Sequence, residues 1–293
     1  MIELTNRCTL RCPTCFSHQD NRVKADMSFR EFKGIIDENF SLIKFLSLYN
    51  YGEPFLNARL PEMILYAKSA GISYVKVATN GMHLTGPKIM KILNSKLDHI
   101  SISLDGATKE TYEVFRVGGE FKRVVSNIYA LVKARDALRG NLKVEIQFII
   151  MKHNEHEIKA IEKLARNLKV DCLRLKTVLV KKDKWERFLP VSSEYNRYSR
   201  MESRGQCFKP LKELTVNCDG SVIPCCYIVG EDIEKFSIGN IFDHSLKDIL
   251  SSKKYQEFVS ACTTKKSDLS SCAGCHEGDQ SLDYKIIEVG TAK

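Results

Sequence analysis

The sequence lacks a long apolar run. No stretch of about 18 apolar residues occurs in the 293 residues, and a membrane-spanning helix needs roughly that many. The sequence therefore predicts no membrane span and no membrane partner. Its 43% hydrophobic and 28% charged residues are typical of a globular protein in water.

We also expect no export signal, because the chain starts directly on a short strand-like segment at residues 2–5. Eleven cysteines without such a signal favour metal ligation in a reducing compartment over a disulfide framework. We therefore expect a cytoplasmic protein. The net charge of +9 is not gathered in one long basic tract, so we expect a solvated basic surface and no nucleic-acid partner.

Strand-like and helix-like segments alternate over residues 1–180. The predicted strands are residues 2–5, 43–49, 74–79, 99–104, 144–151 and 172–179. Five helices separate them; Ser28 with Glu31 forms a capping box before the first, and Asn154 with Glu157 is predicted to cap the fifth. This alternation predicts a parallel α/β sheet, either an open doubly wound sheet or a partial barrel. In both architectures functional groups lie at the carboxyl ends of the strands.

Three cysteines stand close together near the start of the chain. Cys8, Cys12 and Cys15 have the spacing C-x3-C-x2-C, which is too tight for three independent packing roles. Three thiolates can hold three irons of a four-iron cluster and leave one iron open to another ligand. A zinc knuckle, or a disulfide with a spare thiol, is the alternative, although zinc sites usually show paired C-x2-C units.

The triad resembles the C-x3-C-x-Φ-C motif of the radical S-adenosylmethionine (SAM) superfamily, with Thr14 at the usually aromatic position and Phe16 as the nearest aromatic residue. The resemblance implies a partial (β/α)6 barrel and a 4Fe-4S cluster whose open iron binds SAM. It further implies a reductant, such as flavodoxin or ferredoxin, and a 5′-deoxyadenosyl radical that takes hydrogen from a substrate carbon.

Polar and glycine residues follow the predicted strands in the order known from this family. The resemblance implies that Gly52-Glu53-Pro54 receive the SAM amino group, that Ser103 approaches the ribose or carboxylate, and that Arg116 pairs with the carboxylate. Asn80 and Asp105, in the Thr-Asn-Gly and Ser-Leu-Asp-Gly turns, complete the expected SAM site. Ordinary loop chemistry is the alternative for each turn, since Asn-Gly and Asp-Gly are common turn dipeptides.

Residues 181–206 interrupt the alternation and are predicted to be a linker between a barrel at 1–180 and a smaller domain at 207–293. The linker is basic and contains the single tryptophan. Lys176, Lys182, Lys184 and Trp185 are candidates for contact with substrate, with a solvated linker as the alternative.

Four further cysteines define a second predicted metal site: Cys207, Cys225, Cys272 and Cys275. Their spacing, C-x12-G-x4-C followed by C-x2-C, resembles the twitch form of the superfamily's SPASM module and implies an auxiliary 4Fe-4S cluster. A structural zinc fits the same thiols. The string Cys272-Ala-Gly-Cys275-His276 also matches a haem-attachment pattern, which would need export.

Cys226 directly follows one of these cysteines and is a candidate hydrogen-atom donor, as in superfamily epimerases; a packing role is the alternative. Cys172, Cys218 and Cys262 are expected to be packing residues.

These features predict a radical SAM oxidoreductase or epimerase. The expected substrate is small and polar, such as a sugar, aminocyclitol or nucleotide sugar, as in the butirosin-type dehydrogenases and neomycin-type epimerases of the superfamily. Peptide maturation is an alternative, with a separate protein presenting the peptide. An iron–sulfur electron carrier is a third hypothesis, against which Gly52-Glu53-Pro54, Ser103 and Arg116 speak.

Overall fold

The computed structural model describes residues 1–18, 21–180, 183–200, 205–273, 275 and 283–289. The chain forms two compact units. The first unit comprises Met1–Arg7, Phe16–Ser73 and Met201–Ser281, and the second comprises Cys8–Cys15, Tyr74–Arg200 and Leu282–Lys293. Each unit is described by itself.

The second unit contains a mixed sheet and its flanking helices. Its strands, numbered along the whole chain, are β2 (Tyr74–Thr79), β3 (His99–Ser103), β4 (Lys143–Ile150), β5 (Cys172–Thr177) and β9 (Asp283–Glu288). Its helices are α3 (Gly86–Asn94), α4 (Lys109–Phe115), α5 (Phe121–Ala137), α6 (Ile158–Asn167) and α7 (Arg197–Arg200).

Strands β2 to β5 pair in parallel in sequence order, and β9 pairs antiparallel with β5. The prediction of a parallel sheet with intervening helices is confirmed for these four strands. The sequence did not predict β9 or α4. In β4 and β5, Ile146 lies opposite Leu173 and Glu145 lies opposite Cys172.

The two faces of this sheet differ in polarity because successive side chains of a strand point to opposite sides. On one face Val77, Ile100, Ile146 and Leu175 are buried. The other face carries polar residues from all four parallel strands, including Lys76, Ser101, Glu145 and Arg174. A face with this many polar groups needs hydrogen-bond partners or ligands for them.

The first unit contains α1 (Phe29–Asn39), β1 (Phe45–Ser47), α2 (Leu60–Ser69), β6 (Thr215–Val216), β7 (Ser221–Ile223), α8 (Asp232–Phe236), β8 (Gly239–Asn240), α9 (Leu246–Ser251) and α10 (Lys253–Lys265). Strands β6, β7 and β8 form a small antiparallel sheet. Next to it, α8 and α10 contribute Ile233, Phe236, Phe258 and Cys262 to an apolar cluster that also contains Ile223.

The predicted capping box at the start of α1 is confirmed, since Ser28 and Glu31 exchange side-chain and backbone hydrogen bonds of 3.2 and 2.7 Å. The predicted strand at residues 2–5 is not a regular strand. Its backbone makes only isolated bridges, Ile2 to Val216 and Thr5 to Asp26. Neighbouring amides bond to different segments, Ile2 to Ser47 and Glu3 to Val216, which prevents a continuous ladder.

The predicted cap of α6 is wrong. Glu157 occupies the N-cap position, but neither it nor Asn154 makes a side-chain capping bond. The Asn154 carboxamide instead accepts a hydrogen bond from the Met151 amide at 2.7 Å and donates to the Asp105 carbonyl at 3.0 Å. Asn154 therefore joins the segments that follow β3 and β4, because its side chain bonds to the backbone of both.

Two predictions concern the chain as a whole. No helix in the described ranges has both the length and the apolar character to cross a bilayer. The boundaries predicted at 180 and 206 remain a prediction, since the compact units join segments that are distant in sequence.

Candidate functional site

Cys8, Cys12 and Cys15 lie on one loop of the second unit. The Cys15 amide donates to the Cys12 carbonyl at 3.1 Å, and the Leu10 amide donates to the Cys8 sulfur at 3.4 Å. Cys8, Cys12 and Cys15 form no disulfide and are partly exposed. This set of soft sulfur donors fits three irons of a 4Fe-4S cluster.

The loop is attached to the rest of the second unit at several points. The Arg11 amide donates to the Val117 carbonyl at 2.9 Å, and the Thr9 hydroxyl lies 3.1 Å from Nε2 of His83. Asn80 places its side-chain amide 3.8 Å from the Cys8 sulfur. The structure therefore brings the predicted residue Asn80 to the cysteine loop, together with His83, which has no motif that marks it.

The turn that carries Asn80 requires a glycine after it. Gly81 has a φ of +77°, and a Cβ there would lie 2.9 Å from side-chain atoms of Ile102 and Val124. The turn can therefore pack tightly against β3 and α5 only with glycine at this position.

A buried ion pair lies beside Cys12. Asp105 accepts hydrogen bonds from the Arg116 Nε at 2.6 Å and from the Ile149 amide at 2.7 Å. The Nη2 atom of Arg116 is 2.5 Å from the same carboxylate, and Nη1 is 3.7 Å from the Cys12 sulfur. Asp105, Arg116 and Cys12 thus form one connected chain of polar groups.

This environment keeps Arg116 charged. Burial lowers the pKa of Arg116, but the charges of Asp105 and Cys12 outweigh burial and hold that pKa above its usual value. Burial raises the pKa of the Cys12 thiol, and Arg116 opposes this shift. The guanidinium is already engaged by Asp105, so a SAM carboxylate would share it with that residue.

Ser103, at the end of β3, is partly buried in the same unit.

The Gly52-Glu53-Pro54 segment lies in the first unit, against the backbone of residues 5–7. A Cβ on Gly52 would be 1.8 Å from the Thr5 carbonyl oxygen, so only glycine fits there. The Glu53 amide donates to the Arg7 carbonyl at 2.7 Å, and its carboxylate accepts from the Phe55 amide at 3.0 Å. Pro54 begins a short 3-10 turn, Pro54–Leu56.

Cys226 lies next to this segment. The hydroxyl of Tyr51, which precedes Gly52, donates to the Cys226 carbonyl at 3.3 Å. The Tyr51 ring also meets Phe16 edge to face, with ring centroids 5.8 Å apart. Tyr51 therefore links the glycine-containing segment to the cysteine that the sequence singled out.

The thiols of Cys225 and Cys226 influence each other's pKa. The neighbouring Cys225 thiol, opposed by burial and assisted by the charge of Lys209, lowers the pKa of Cys226. The Cys226 thiol and burial raise the pKa of Cys225.

Cys207, Cys262 and Cys272 lie near the end of α10. The Cys207 amide donates to the Cys262 carbonyl at 2.8 Å, and the nearby Cys272 thiol raises the pKa of the Cys262 thiol. Cys262 is buried in the apolar cluster, as its predicted packing role implies. Cys275 follows Cys272 in a turn closed by a 3.1 Å backbone bond. Residues 276 and 182, and the side chains of Lys184 and Trp185, lie outside the described residues.

In the described part of the chain, the thiols are not arranged around a metal ion. Within the described ranges, no three His, Cys, Asp or Glu side chains are already arranged as a metal site. The remaining predicted packing cysteines are buried, Cys172 at 0% and Cys218 at 4% exposure.

Glu145 is the centre of the polar face of the sheet. Its carboxylate accepts hydrogen bonds from Ser101 at 2.6 Å and Arg174 at 2.8 Å, and Lys76 is 3.3 Å away. Burial acts to raise the pKa of Glu145, but His99 and the neighbouring cations outweigh it and hold that pKa well below its usual range. Nearby, the Lys176 ammonium donates to Gln147 at 3.4 Å.

Two family models match the chain. The radical SAM superfamily model matches residues 2–172, and the SPASM model, an iron-sulfur cluster-binding domain, matches residues 207–276. The chain belongs to the radical SAM superfamily. Members of this superfamily use a 4Fe-4S cluster and SAM, and the SPASM domain indicates an additional iron–sulfur cluster. The cofactor prediction is confirmed.

Curated relatives of this radical SAM protein have diverse activities. It is 26% identical to the tungsten-containing aldehyde ferredoxin oxidoreductase cofactor-modifying protein of Pyrococcus furiosus, over 98% of this chain and 90% of the relative. It is 33% identical to the AdoMet-dependent heme synthase of Methanosarcina barkeri over 57% of this chain and 46% of the synthase. For the mycofactocin maturase MftC of Mycobacterium tuberculosis these values are 31%, 56% and 40%. The aligned region thus spans less than half of the last two proteins.

Solved structures share the fold at low sequence identity. BtrN in complex with AdoMet and 2-DOIA has a TM-score of 0.61 and 15% identity, covering 98% of this chain and 96% of BtrN. Streptococcus suis SuiB bound to S-adenosylmethionine has a TM-score of 0.72 and 14% identity, covering 94% of this chain and 71% of SuiB. The prediction of an α/β fold of the partial (β/α)6 barrel type is confirmed.

Proposed function

We propose that this radical SAM enzyme removes a hydrogen atom from a carbon of a small polar substrate, such as a sugar, aminocyclitol or nucleotide sugar, and so oxidises or epimerises it. The observation that carries the proposal is the loop of three cysteines, Cys8, Cys12 and Cys15, joined through Arg116 to the buried carboxylate of Asp105. When bound, the cluster and SAM supply the 5′-deoxyadenosyl radical.

The chain's own residues have distinct parts in this proposal. Cys8, Cys12 and Cys15 hold the cluster. Arg116 stays charged and faces Cys12, so it stabilises negative charge at that position. Asn80, Ser103 and Asp105 shape the SAM site at the ends of β2 and β3. The assignment of the SAM amino group to Gly52-Glu53-Pro54 remains a prediction from the sequence.

The polar face of the sheet supports a small polar substrate. Lys76 and Arg174 share the carboxylate of Glu145, and their side chains remain 13% and 22% exposed. A buried carboxylate held by two cations and a serine is a rigid group. Such a face offers fixed hydrogen-bond donors to hydroxyl, amino or phosphate groups of a ligand.

The central test is anaerobic incubation of the reconstituted protein with SAM and a chemical reductant. We expect 5′-deoxyadenosine and methionine to form. Intact SAM in the presence of a fully reduced cluster would contradict the proposal and favour an electron carrier. Reduction by flavodoxin or ferredoxin, and a location in the cytoplasm, remain predictions.

Cys226 distinguishes epimerisation from oxidation. If its thiol donates the final hydrogen atom, product formed in deuterated water gains one deuterium, because S–H exchanges with solvent and C–H does not. The thiyl radical left on Cys226 then takes one electron from the reductant and one proton from solvent, which restores the thiol. The Cys226→Ser variant then still produces 5′-deoxyadenosine but no inverted product. A variant that behaves like the parent, with no solvent deuterium in the product, would assign Cys226 to packing and the enzyme to oxidation.

Peptide maturation is the second candidate function. It is supported by the similarity to MftC and to the fold of anSMEcpe solved with bound AdoMet and Kp18Cys peptide, which has a TM-score of 0.68 and 16% identity over 97% of this chain and 92% of anSMEcpe. Panels of sugars and of peptides, assayed for stimulation of 5′-deoxyadenosine formation, separate the two candidates. Stimulation by peptides alone would overturn the small-substrate proposal.

A further inference from the structure

The polar face of the sheet places two cations around one carboxylate. Glu145, on β4, is completely buried and accepts hydrogen bonds from Ser101 at 2.6 Å and from Nε of Arg174 at 2.8 Å. The ammonium group of Lys76, on β2, is 3.3 Å from the same carboxylate, and Nε2 of His99 is 3.4 Å away. These contacts come from β2, β3 and β5, and together they occupy both oxygens of the carboxylate.

The charges of these side chains do not cancel. Lys76 and Arg174 carry two positive charges against the one negative charge of Glu145. Burial lowers the pKa of His99 and outweighs the opposing effect of Glu145, so the His99 ring is neutral near pH 7. Among these four side chains, one positive charge therefore remains.

A ligand can reach the cations but not the carboxylate. The side chains of Lys76 and Arg174 are 13% and 22% exposed, whereas that of Glu145 is fully buried. Towards the carboxyl ends of the strands, Arg174 lies opposite Gln147, and Gln147 lies opposite Ser103. The polar face thus continues from the two cations to the edge of the sheet at which α/β proteins bind their ligands.

An excess of positive charge in a partly buried site favours an anionic ligand. A charge that is removed from water is costly unless an opposite charge accompanies it. Guanidinium and ammonium groups form strong, charge-assisted hydrogen bonds with carboxylates and phosphates. A cationic ligand such as an aminocyclitol would meet Lys76 and Arg174 first, and the buried oxygens of Glu145 could not bind it.

We propose that the substrate carries a carboxylate or phosphate group, which Lys76 and Arg174 bind while Glu145 holds the two cations in place. This selects a nucleotide sugar, another sugar phosphate or a sugar acid over a neutral sugar or an aminocyclitol. The inference rests on the proposed function, because it takes the polar face to be the substrate site. Binding of the anion itself does not require cleavage of SAM.

Isothermal titration calorimetry of the reconstituted holoprotein, with inorganic phosphate and acetate as separate ligands, measures anion binding directly. We expect the parent to bind one or both, and the better ligand indicates whether the substrate group is a phosphate or a carboxylate. Lys76→Met and Arg174→Met should each weaken binding by about tenfold or more, because each removes a charge-assisted contact.

The matched control for these variants is Lys143→Met. Lys143 lies on β4 opposite His99, but its side chain is 39% exposed and its ammonium group is 3.7 Å from Glu288. This variant should bind the anion as the parent does.

Glu145→Gln should have the opposite effect. It removes the negative charge and keeps the shape of the side chain, so the anion should bind more tightly than to the parent. The anion should also raise the melting temperature of this variant more than that of the parent. A cluster with a purely structural role predicts no such gain, and the comparison holds even if Arg174→Met folds poorly.

Two results would overturn the proposal. One is no anion binding by the parent, or binding that Lys76→Met, Arg174→Met and Glu145→Gln all leave unchanged. The other is stimulation of 5′-deoxyadenosine formation by neutral sugars or aminocyclitols but not by sugar phosphates or sugar acids, which would leave the proposed function intact. Anion binding that responds to the variants, without any cleavage of SAM, would support the anion site and contradict the proposed function.

Discussion

The cysteine loop Cys8–Cys15 and the C-terminal cysteines each lie beside a buried cation, but among the described residues a carboxylate contacts only the first of these cations. Arg116 beside Cys12 is bound by Asp105, whose side chain is completely buried. Lys266 beside Cys275 donates to a carbonyl oxygen. The protein itself therefore balances the charge of Arg116, whereas no described carboxylate balances that of Lys266.

This difference implies different roles for the two cations. The carboxylate of Asp105 fixes the guanidinium in place, so Arg116 can orient groups at the first site without the cluster. We expect Lys266 to stabilise an anion when one is present and to destabilise the fold when it is absent. Removal of each thiol group or cation in turn tests this comparison.

The largest effect is expected from the first thiol group. Replacement of Cys8, Cys12 and Cys15 with alanine should abolish 5′-deoxyadenosine formation and reduce iron from about eight to about four per chain, because each cluster holds about four irons. Iron analysis and chromatography of the SAM products measure both results. Loss of all iron would show instead that the second group cannot hold a cluster alone.

The next effect is on the stability of the apoprotein. Arg116→Ala leaves the Asp105 carboxylate buried and unpaired, which should lower the free energy of unfolding by about 3–5 kcal/mol. Urea denaturation of metal-free protein measures this change. The control is the double variant Arg116→Ala/Asp105→Asn, which should recover part of the loss because the two residues interact directly. Equal losses in both proteins would contradict the ion pair as the cause.

Much of the fold follows from local sequence signals. The strands near residues 74–79 and 99–104 and the capping box of Ser28 and Glu31 could be predicted because alternation and caps act over a few residues. Strand β9 could not, since Asp283–Glu288 pairs with β5, more than a hundred residues earlier, and its antiparallel pairing has no nearby partner in sequence. Pairing at that range is set by tertiary packing rather than by local propensity.

The candidate site likewise has residues that local sequence identifies and residues that only tertiary packing brings together. Cys8, Cys12 and Cys15 are recognisable because their spacing is local. The hydrogen bond from the Cys207 amide to the Cys262 carbonyl, by contrast, depends on how α10 ends. The contact of Arg116 with Asp105 likewise needs α4 to end next to the turn after β3. Sequence spacing can identify functional side chains that lie on one loop. Side chains contributed by separate helices and strands can be grouped only once the folded structure is known.

The smallest expected effect is the change in stability on replacement of Lys266. Whether stability rises or falls is the informative result. Lys266→Met removes a buried charge that has no carboxylate partner in the described part of the chain, so the free energy of unfolding of the apoprotein should rise by about 1–3 kcal/mol. In the holoprotein the same change removes the cation beside an anionic cluster, so cluster retention should weaken and the reduction potential should fall.

The matched control is Lys265→Met, because Lys265 is 71% exposed, pairs with Asp268 at 3.0 Å and should change stability little. A less stable apoprotein in Lys266→Met would show that this cation is already balanced without the cluster, as Arg116 is, and the contrast between the two thiol groups would disappear.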